Sequence, residues 1–305
     1  MFVLVLNQLI KMLFIMILAF ICYRLHIINQ EGNKNMCSLL LMIVNPCLII
    51  TVFQTDYDPN LVRGLLAAFA AAVLAHVVGF LIAHYLIPEK ENPEFSLERF
   101  GASYSNCGFI GIPLINSILG SKGVFFLTAY MTVFNILSWT HGLVLLSGKL
   151  SAKRLKEGLL APIVVCTMIG ATLFFLQIRI PSAVLDSMNY IANMNTPLAM
   201  MIAGFSVAQT DLKKIFSHVR IYWVCLLKLI LMPLATLAFL ALLPIDRDVA
   251  YTTLVAAACP TATSLTMMAI RFERNYAYAS EIFSLSTVFS VVTIPAVIYV
   301  AGFFL

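Results

Sequence analysis

The chain has 305 residues, of which 61% are hydrophobic and 11% are charged, with a formal net charge of +5 and a mean hydropathy of +0.96. Soluble domains are roughly 45–50% apolar and about 25% charged, so the excess apolar residues must face lipid. This composition excludes soluble enzymes, nucleic-acid-binding proteins and disulfide-rich secreted scaffolds, and it predicts an all-α polytopic membrane protein.

Ten apolar runs approach the roughly 20 residues that a transmembrane helix needs. The first run is interpreted as a retained span and not as a signal peptide, because Lys11 interrupts its middle. The connections between the runs are short, so no soluble domain is inserted. In chain order the runs cover 3–23, 36–55, 62–87, 97–120, 122–147, 158–178, 184–208, 218–243, 249–271 and 277–304.

The basic residues of the connections predict the orientation in the membrane. Alternate connections on one side carry 13 of the 19 Lys and Arg residues and those on the other side carry four, while Lys11 and Lys228 lie inside spans. Cytoplasmic loops carry the excess of positive charge. The sequence therefore predicts a plasma-membrane protein with both termini outside the cytoplasm.

Unusual residues recur at an offset of about 150, which predicts two related halves. Asn45 in the second span corresponds to Asn195 in the seventh, each close to a proline, and His76 in the third corresponds to Lys228 in the eighth. Five spans per half is an odd number, so the second half must be inserted upside down, as in many secondary transporters. The predicted units are a first five-helix repeat, 1–150, and an inverted second repeat, 151–305.

The fourth and ninth spans contain helix breakers. The fourth contains Gly108, Gly111 and Pro113, and the ninth contains Pro260. Broken helix is tolerated in a bilayer only where protein or water lines it, and paired breaks indicate a binding site near the midplane. The N-terminus of a half-helix offers free N–H groups and a partial positive charge, which suits an anionic substrate.

The candidate substrate-binding residues surround these breaks. We expect Asn106 and the neighbouring glycine backbone to orient the substrate, with Pro113 and Pro260 holding the helices open. Asn45 and Asn195 fit ligand contact and the satisfaction of carbonyls freed by nearby prolines equally well. The predicted set is Asn106, Gly108, Gly111, Pro113, Pro260, Thr261, Thr263, Asn45 and Asn195.

Three ionisable residues inside spans, Lys228, Lys11 and His76, are predicted to have a charge or coupling role. A charge near the middle of the membrane costs at least about 2.5–3.5 kcal/mol, so the lysines should face the protein interior. The carboxylates lie in connections or at span ends, so no membrane-embedded proton carrier is evident. Coupling to a proton, coupling to sodium and the absence of coupling all fit, and a sodium site would use Thr261, Thr263 and Ser264.

The motif NCGFIGIPL at 106–114 resembles the Asn-x-Gly-Phe-x-Gly-x-Pro-Leu motif of the auxin efflux carrier family, and TPLAM at 196–200 and AACPT at 257–261 extend the similarity. That family includes plant auxin exporters and bacterial malonate and organic-acid permeases. The resemblance implies ten transmembrane helices in a sodium/bile-acid symporter-like arrangement, crossing broken helices and a homodimer. The chain lacks the long loop of the plant exporters, which favours the compact type of the bacterial inner membrane.

The sequence thus predicts a secondary transporter that moves a small organic anion by alternating access. Neither tryptophan falls at a break, so no aromatic box is expected and an aliphatic carboxylate such as malonate or malate is favoured. The alternatives are a membrane sensor that binds the same ligand without transport and an exporter of an auxin-like aromatic acid. Protease motifs and the phosphate loop of primary pumps are absent from the sequence, and no cofactor, bound structural metal or nucleic acid is expected.

Overall fold

The structure is a computed structural model that describes residues 2–90, 92–149, 156, 158–210 and 218–305. Across these residues, seven helical stretches are long and apolar enough to cross a membrane, and Pro162–Phe175 is a shorter apolar helix. Large apolar side chains such as Phe14 and Leu66 are 68% and 65% exposed, as expected of residues that face lipid. The protein is therefore an all-helical polytopic membrane protein. The predicted boundary between its halves, at residues 150 and 151, lies outside the described residues.

Several of the predicted spans are divided into two or more shorter helices in the structure. Four π-helical turns, at Leu40–Val44, Cys107–Gly111, Ser138–Gly142 and Leu227–Leu231, separate α-helical segments along this part of the chain. The α-helices are α1 Phe2–Arg24, α2 Gln30–Leu39, α3 Asn45–Val52, α4 Pro59–Leu86, α5 Phe95–Ser103, α6 Ile112–Leu137, α7 Leu143–Ser147, α8 Pro162–Phe175, α9 Ser182–Ala192, α10 Asn195–Ala208, α11 Val219–Leu226, α12 Met232–Leu240, α13 Arg247–Ala258, α14 Ser264–Arg271 and α15 Tyr276–Ala301.

Helix α6 folds back on itself at Gly120. This residue has φ 62° and ψ −157°, a conformation that is essentially restricted to glycine. A Cβ atom on Gly123 would lie 2.8 Å from Cγ2 of Ile115, although residues eight apart in a straight helix are separated by about 12 Å. The chain therefore reverses between the predicted fourth and fifth spans, and the stretch Cys107–Ser147 contains the later part of the fourth span and the whole of the fifth.

Helices from the two predicted repeats pack closely against each other in two places. Helix α1 lies along α10, where a Cβ atom on Gly204 would approach the carbonyl oxygen of Met16 to 2.3 Å. Helix α8 lies against α3, where a Cβ atom on Gly170 would approach the ring of Phe53 to 2.5 Å. Small residues allow close approach of helices in membranes. In both contacts the first helix of one half meets the second span of the other half.

Candidate functional site

Two broken helices cross each other in the middle of the fold. The first break, residues 104–106, separates α5 from the π-helical turn Cys107–Gly111, and the second break, residues 259–263, separates α13 from α14. Ser105 and Thr261 form an isolated antiparallel bridge. The Asn106 N–H donates to the Pro260 carbonyl at 2.7 Å, and the Ala262 N–H donates to the Tyr104 carbonyl at 2.9 Å. Each break thus satisfies backbone groups of the other, which helix opening inside a bilayer requires.

The two breaks have different local causes. In the second break, Cys259 precedes Pro260 and is extended, with φ −59° and ψ 149°, as the residue before a proline favours. The first break contains no proline, and Tyr104 is extended with φ −107° and ψ 124°. Pro113 lies in the first turn of α6, beyond the π-helical turn. The expectation that Pro113 holds the fourth span open was therefore wrong, since the opening precedes it by seven residues or more.

Two helix N-termini point into the crossing. The turn that begins at Cys107 has Asn106 as its N-cap residue, and α14 has Thr263, and neither side chain forms a capping hydrogen bond. The first N–H groups of a helix have no partner within the helix and carry a partial positive charge. Both starts therefore present free donors at the same place, as the sequence predicted for an anionic substrate.

These N-termini line a cavity of about 330 Å³, within the usual size range of small-ligand sites. Asn106 is only 4% exposed, and its Nδ2 has no hydrogen-bond partner. Asn45 Nδ2 and Ser264 Oγ also lack partners and belong to lining residues. No Asp or Glu of the described ranges lines the cavity. Among the described residues, the site thus combines unpaired donors with an absence of carboxylates.

The remaining wall of the cavity is largely apolar. Leu41, Phe109, Phe134 and Met268 lie along it, and Trp139 is part of it as well. The guanidinium carbon of Arg271 lies 5.4 Å from the centroid of the Trp139 ring. The full lining is Cys37, Leu41, Met42, Asn45, Ser105, Asn106, Cys107, Gly108, Phe109, Met131, Phe134, Asn135, Ser138, Trp139, Ala161, Pro162, Ile163, Ala262, Thr263, Ser264, Met267, Met268 and Arg271.

Only some of the predicted site residues line this cavity. Those that do are Asn45, Asn106, Gly108 and Thr263, together with Ser264, whereas Gly111, Pro113, Pro260, Thr261 and Asn195 do not.

Thr261 and Asn195 are occupied by contacts inside the protein. Thr261 Oγ1 donates to the Gly101 carbonyl at 2.9 Å, and its N–H donates to Ser286 Oγ at 3.2 Å. Asn195 Nδ2 donates to Asn45 Oδ1 at 2.7 Å, so these two predicted residues pair with each other across the halves. Neither Thr261 nor Asn195 lines the cavity. Of these three residues, direct contact with substrate therefore stays a prediction for Asn45 alone.

The three embedded ionisable residues lie in three different environments. Lys228 is 1% exposed and donates to Ser105 Oγ at 2.5 Å and to the Ala257 carbonyl at 2.9 Å, so it contacts both broken helices. His76 is buried beside Tyr130, with Nδ1 2.7 Å from the carbonyl oxygen of Ala72 in its own helix. Lys11 is exposed on the surface of α1. The expectation that Lys11 faces the interior was wrong, whereas Lys228 meets it.

Sequence reasoning did not single out Trp139 and Arg271. Trp139 was set aside because it lies far from either break in the sequence, and Arg271 was counted only as a loop charge. Arg271 follows Ser264 by seven residues, so both occupy one face of α14, with Met267 and Met268 between them. That spacing was the one available signal for Arg271. Trp139 reaches the cavity only through the reversal at Gly120.

The cavity lies toward one end of the molecule. Its wall includes Cys37, Trp139, Pro162 and Arg271, which all lie near the connections that carry most of the basic residues. Met42 and Met267 line it and are 62% and 50% exposed. Beyond the crossing, residues such as Ile112, Ile115, Val255 and Cys259 are buried in one hydrophobic cluster. The cavity therefore lies on the side of the crossing that is nearer to the basic connections, and the residues on the other side of the crossing are buried.

Comparison with known proteins gives two kinds of match. The family described as membrane transport protein matches the chain twice, over residues 4–155 and 148–298. The chain is 24% identical over 307 residues to the uncharacterized transporter YfdV of Escherichia coli strain K12, which covers 97% of each chain. It is 22% identical over 290 residues to an uncharacterized transporter of Methanothermobacter thermautotrophicus, covering 92% of this chain and 94% of the relative. Two successive matches to one family suggest an internal duplication.

Proposed function

The chain belongs to the membrane transport protein family, the auxin efflux carriers, and we propose that it is a secondary carrier that moves a small organic anion by alternating access. Membership makes the protein a membrane transporter and not an enzyme. The observation that carries the proposed substrate class is the crossing itself. Two uncapped helix N-termini and the unpaired amide of Asn106 converge on a cavity whose described lining contains no carboxylate.

The proposed architecture is ten transmembrane helices in two inverted five-helix repeats, 1–150 and 151–305. The seven long apolar stretches are compatible with ten crossings for three physical reasons. The stretch Cys107–Ser147 reverses at Gly120, α13 and α14 are two halves of one broken span, and α8 is a short crossing of 14 residues. The pairing of α1 with α10 and of α3 with α8 supports the repeat.

The proposed orientation places the basic connections in the cytoplasm of a bacterial inner membrane, with both termini outside. Positive charge favours the cytoplasmic side of a membrane. Because the cavity lies near the basic connections, we propose that this arrangement corresponds to an inward-facing state of an alternating-access cycle. The proposal also includes a homodimer, as the resemblance implies.

Two substrate classes fit different parts of the cavity. An aliphatic carboxylate such as malonate or malate would use the donor end at Asn106, Asn45 and Ser264. The apolar wall with Phe109 and Trp139 favours a second candidate, an auxin-like acid whose ring packs there while its carboxylate meets the donors. Both candidates use the same anion-binding end, so one panel of acids separates them.

The testing experiment measures uptake and efflux of labelled acids in proteoliposomes at a clamped membrane potential. The panel contains malonate, malate, a monocarboxylate and an indole acid. We expect saturable flux of at least one acid, and we expect Asn106→Ala to reduce it about tenfold, the rate equivalent of one lost buried hydrogen bond. Asn116→Ala is the matched control, because Asn116 is exposed further along the same segment.

Two results would contradict the proposal. Equal loss of flux in Asn106→Ala and Asn116→Ala would contradict the assignment of Asn106 to the substrate site. Saturable binding with no flux of any acid would favour the alternative of a membrane sensor that binds its ligand without transport.

A further inference from the structure

Lys228 sits in an arrangement that a substrate-binding role does not explain. It lies in the π-helical turn Leu227–Leu231 and is 1% exposed. Its Nζ donates to Ser105 Oγ of the first break and to the Ala257 carbonyl at the end of α13. Ser105 Oγ also donates to the same Ala257 carbonyl, at 3.3 Å. One amino group thus joins both broken helices, and Lys228 does not line the cavity.

The Ala257 carbonyl is a specific electrostatic partner. The last carbonyls of a helix lack partners within the helix and carry a partial negative charge, so the end of α13 favours a cation. The salt bridges of the described residues include none to Lys228. The positive charge of Lys228 is therefore balanced by a helix end and a hydroxyl, and not by a carboxylate.

We propose that the Lys228 ammonium is a resident cation that permanently fills the cation position of the crossing, so that the carrier moves its anion without a sodium ion bound there. The proposal rests on the proposed carrier function. Broken helices present carbonyl ends, and a co-transported cation is one way to stabilise them. Here a side chain of the protein supplies the charge and also links the first break to the second.

The neighbouring groups that a sodium ion would use support this assignment. Thr261 Oγ1 already donates to the Gly101 carbonyl, and Thr263 and Ser264 lie at the positive N-terminal end of α14, where a cation is disfavoured. A second cation at the crossing would also be repelled by the nearby ammonium. The sodium site considered from the sequence is thus replaced by Lys228.

The first part of the test compares wild type with Lys228→Ala, Lys228→Arg and Lys11→Ala in proteoliposomes. Lys11→Ala is the matched control, because Lys11 is an exposed lysine within a span. We expect equal wild-type flux in sodium and in N-methylglucamine. We expect a loss of about tenfold in Lys228→Ala, because Ser105 Oγ loses its donor and the Ala257 carbonyl keeps only the 3.3 Å hydrogen bond from Ser105. Methylammonium should restore part of that flux, and Lys228→Arg should retain more flux than Lys228→Ala. Sodium-dependent flux in wild type would overturn the proposal.

The second part measures thermal unfolding in detergent without any acid. Lys228→Ala should unfold at a lower temperature than wild type and recover with methylammonium, whereas wild type and Lys11→Ala should not respond to methylammonium. Unchanged unfolding of Lys228→Ala would overturn the resident cation whatever the flux. Suppose that Lys228→Ala unfolds at a lower temperature and recovers with methylammonium, while wild type moves no acid. That result would support the resident cation and overturn the carrier function.

A third variant keeps the test decisive if Lys228→Ala does not accumulate as folded protein. Lys228→Gln keeps an N–H donor but carries no charge. Flux and stability close to wild type in Lys228→Gln would overturn the need for a charge at this position, and losses that approach those expected of the alanine variant would support it.

Discussion

The two broken helices meet at one point, but they contribute different things to it. The first break contains no proline, and it presents the unpaired amide of Asn106 to the cavity. The second break depends on Pro260, and the Thr261 hydroxyl in this break donates a hydrogen bond to the Gly101 carbonyl. In the proposed carrier, the first break therefore supplies the substrate-binding groups, and the second break supplies the structural support of the crossing.

The third and eighth spans differ in the same way. His76 and Lys228 occupy corresponding positions of the two predicted repeats, and of these two residues Lys228 is the one that bonds to the crossing. His76 contacts its own helix and lies 4.8 Å, ring to ring, from Tyr130. The two spans therefore place a charged side chain and an aromatic ring at these positions, and substitutions of each residue can test the difference.

The largest effect is expected at the crossing, where a substitution in the first break should lower transport and one in the second break should lower stability. Asn106→Ala should reduce transport about tenfold with little change in stability, because its Nδ2 has no partner to lose. Thr261→Val should instead cost about 1–3 kcal/mol of stability, because the buried Gly101 carbonyl loses a donor, and transport per folded molecule should remain. Flux assays together with unfolding in mixed micelles measure both. Equal loss of transport in the two variants would mean that the two breaks act as one unit.

A smaller effect is expected at the amide pair that joins the two halves. Asn45→Ala and Asn195→Ala should each cost about 1–3 kcal/mol, because each leaves the partner amide buried without its 2.7 Å hydrogen bond. The double variant should cost less than the sum of the single variants. A double-mutant cycle of unfolding free energies measures this coupling. Additive costs would show that the two amides do not interact in the folded protein.

The next prediction compares two glycines of the same motif. A Cβ atom on Gly111 would lie 3.3 Å from Cβ of Cys107 and 3.4 Å from Sγ of Cys259, so Gly111→Ala should cost about 1 kcal/mol through overpacking. Gly108 has no atom within 4 Å of that position, so Gly108→Ala should be tolerated and serves as the control. Unfolding free energies of both variants measure the difference. Equal destabilisation would argue against close contact between the breaks.

The smallest effect is expected at His76. His76→Phe keeps a ring of similar shape among Phe80, Tyr104 and Tyr130. It removes Nε2, which has no partner within the described residues, and Nδ1, whose one contact is the Ala72 carbonyl oxygen of the same helix. The unfolding free energy should change by less than about 1 kcal/mol, and transport should persist. Flux measured with and without a proton gradient provides the check. Loss of transport in folded His76→Phe would indicate that this histidine carries protons.

Much of the fold and part of the site could be predicted from local sequence. The composition required a membrane protein, the NCGFIGIPL motif indicated the family, and the predicted breakers Gly108 and Pro260 lie within two residues of the two breaks. Asn106, Gly108 and Thr263 were found in this way. Pro113 was misjudged because a proline in the first turn of a helix is compatible with that helix, so its presence does not mark the point of opening.

What the sequence by itself determined is the set of groups available: apolar runs that must face lipid, breakers that must be sheltered, and embedded charges that must find partners. Only the tertiary structure decided how those groups are used. It pairs Asn45 with Asn195, brings Trp139 and Arg271 to one cavity, and directs Lys228 inward but Lys11 outward. The physical reason is that such contacts join residues more than 100 positions apart, and their partners are set by helix packing and not by local propensity.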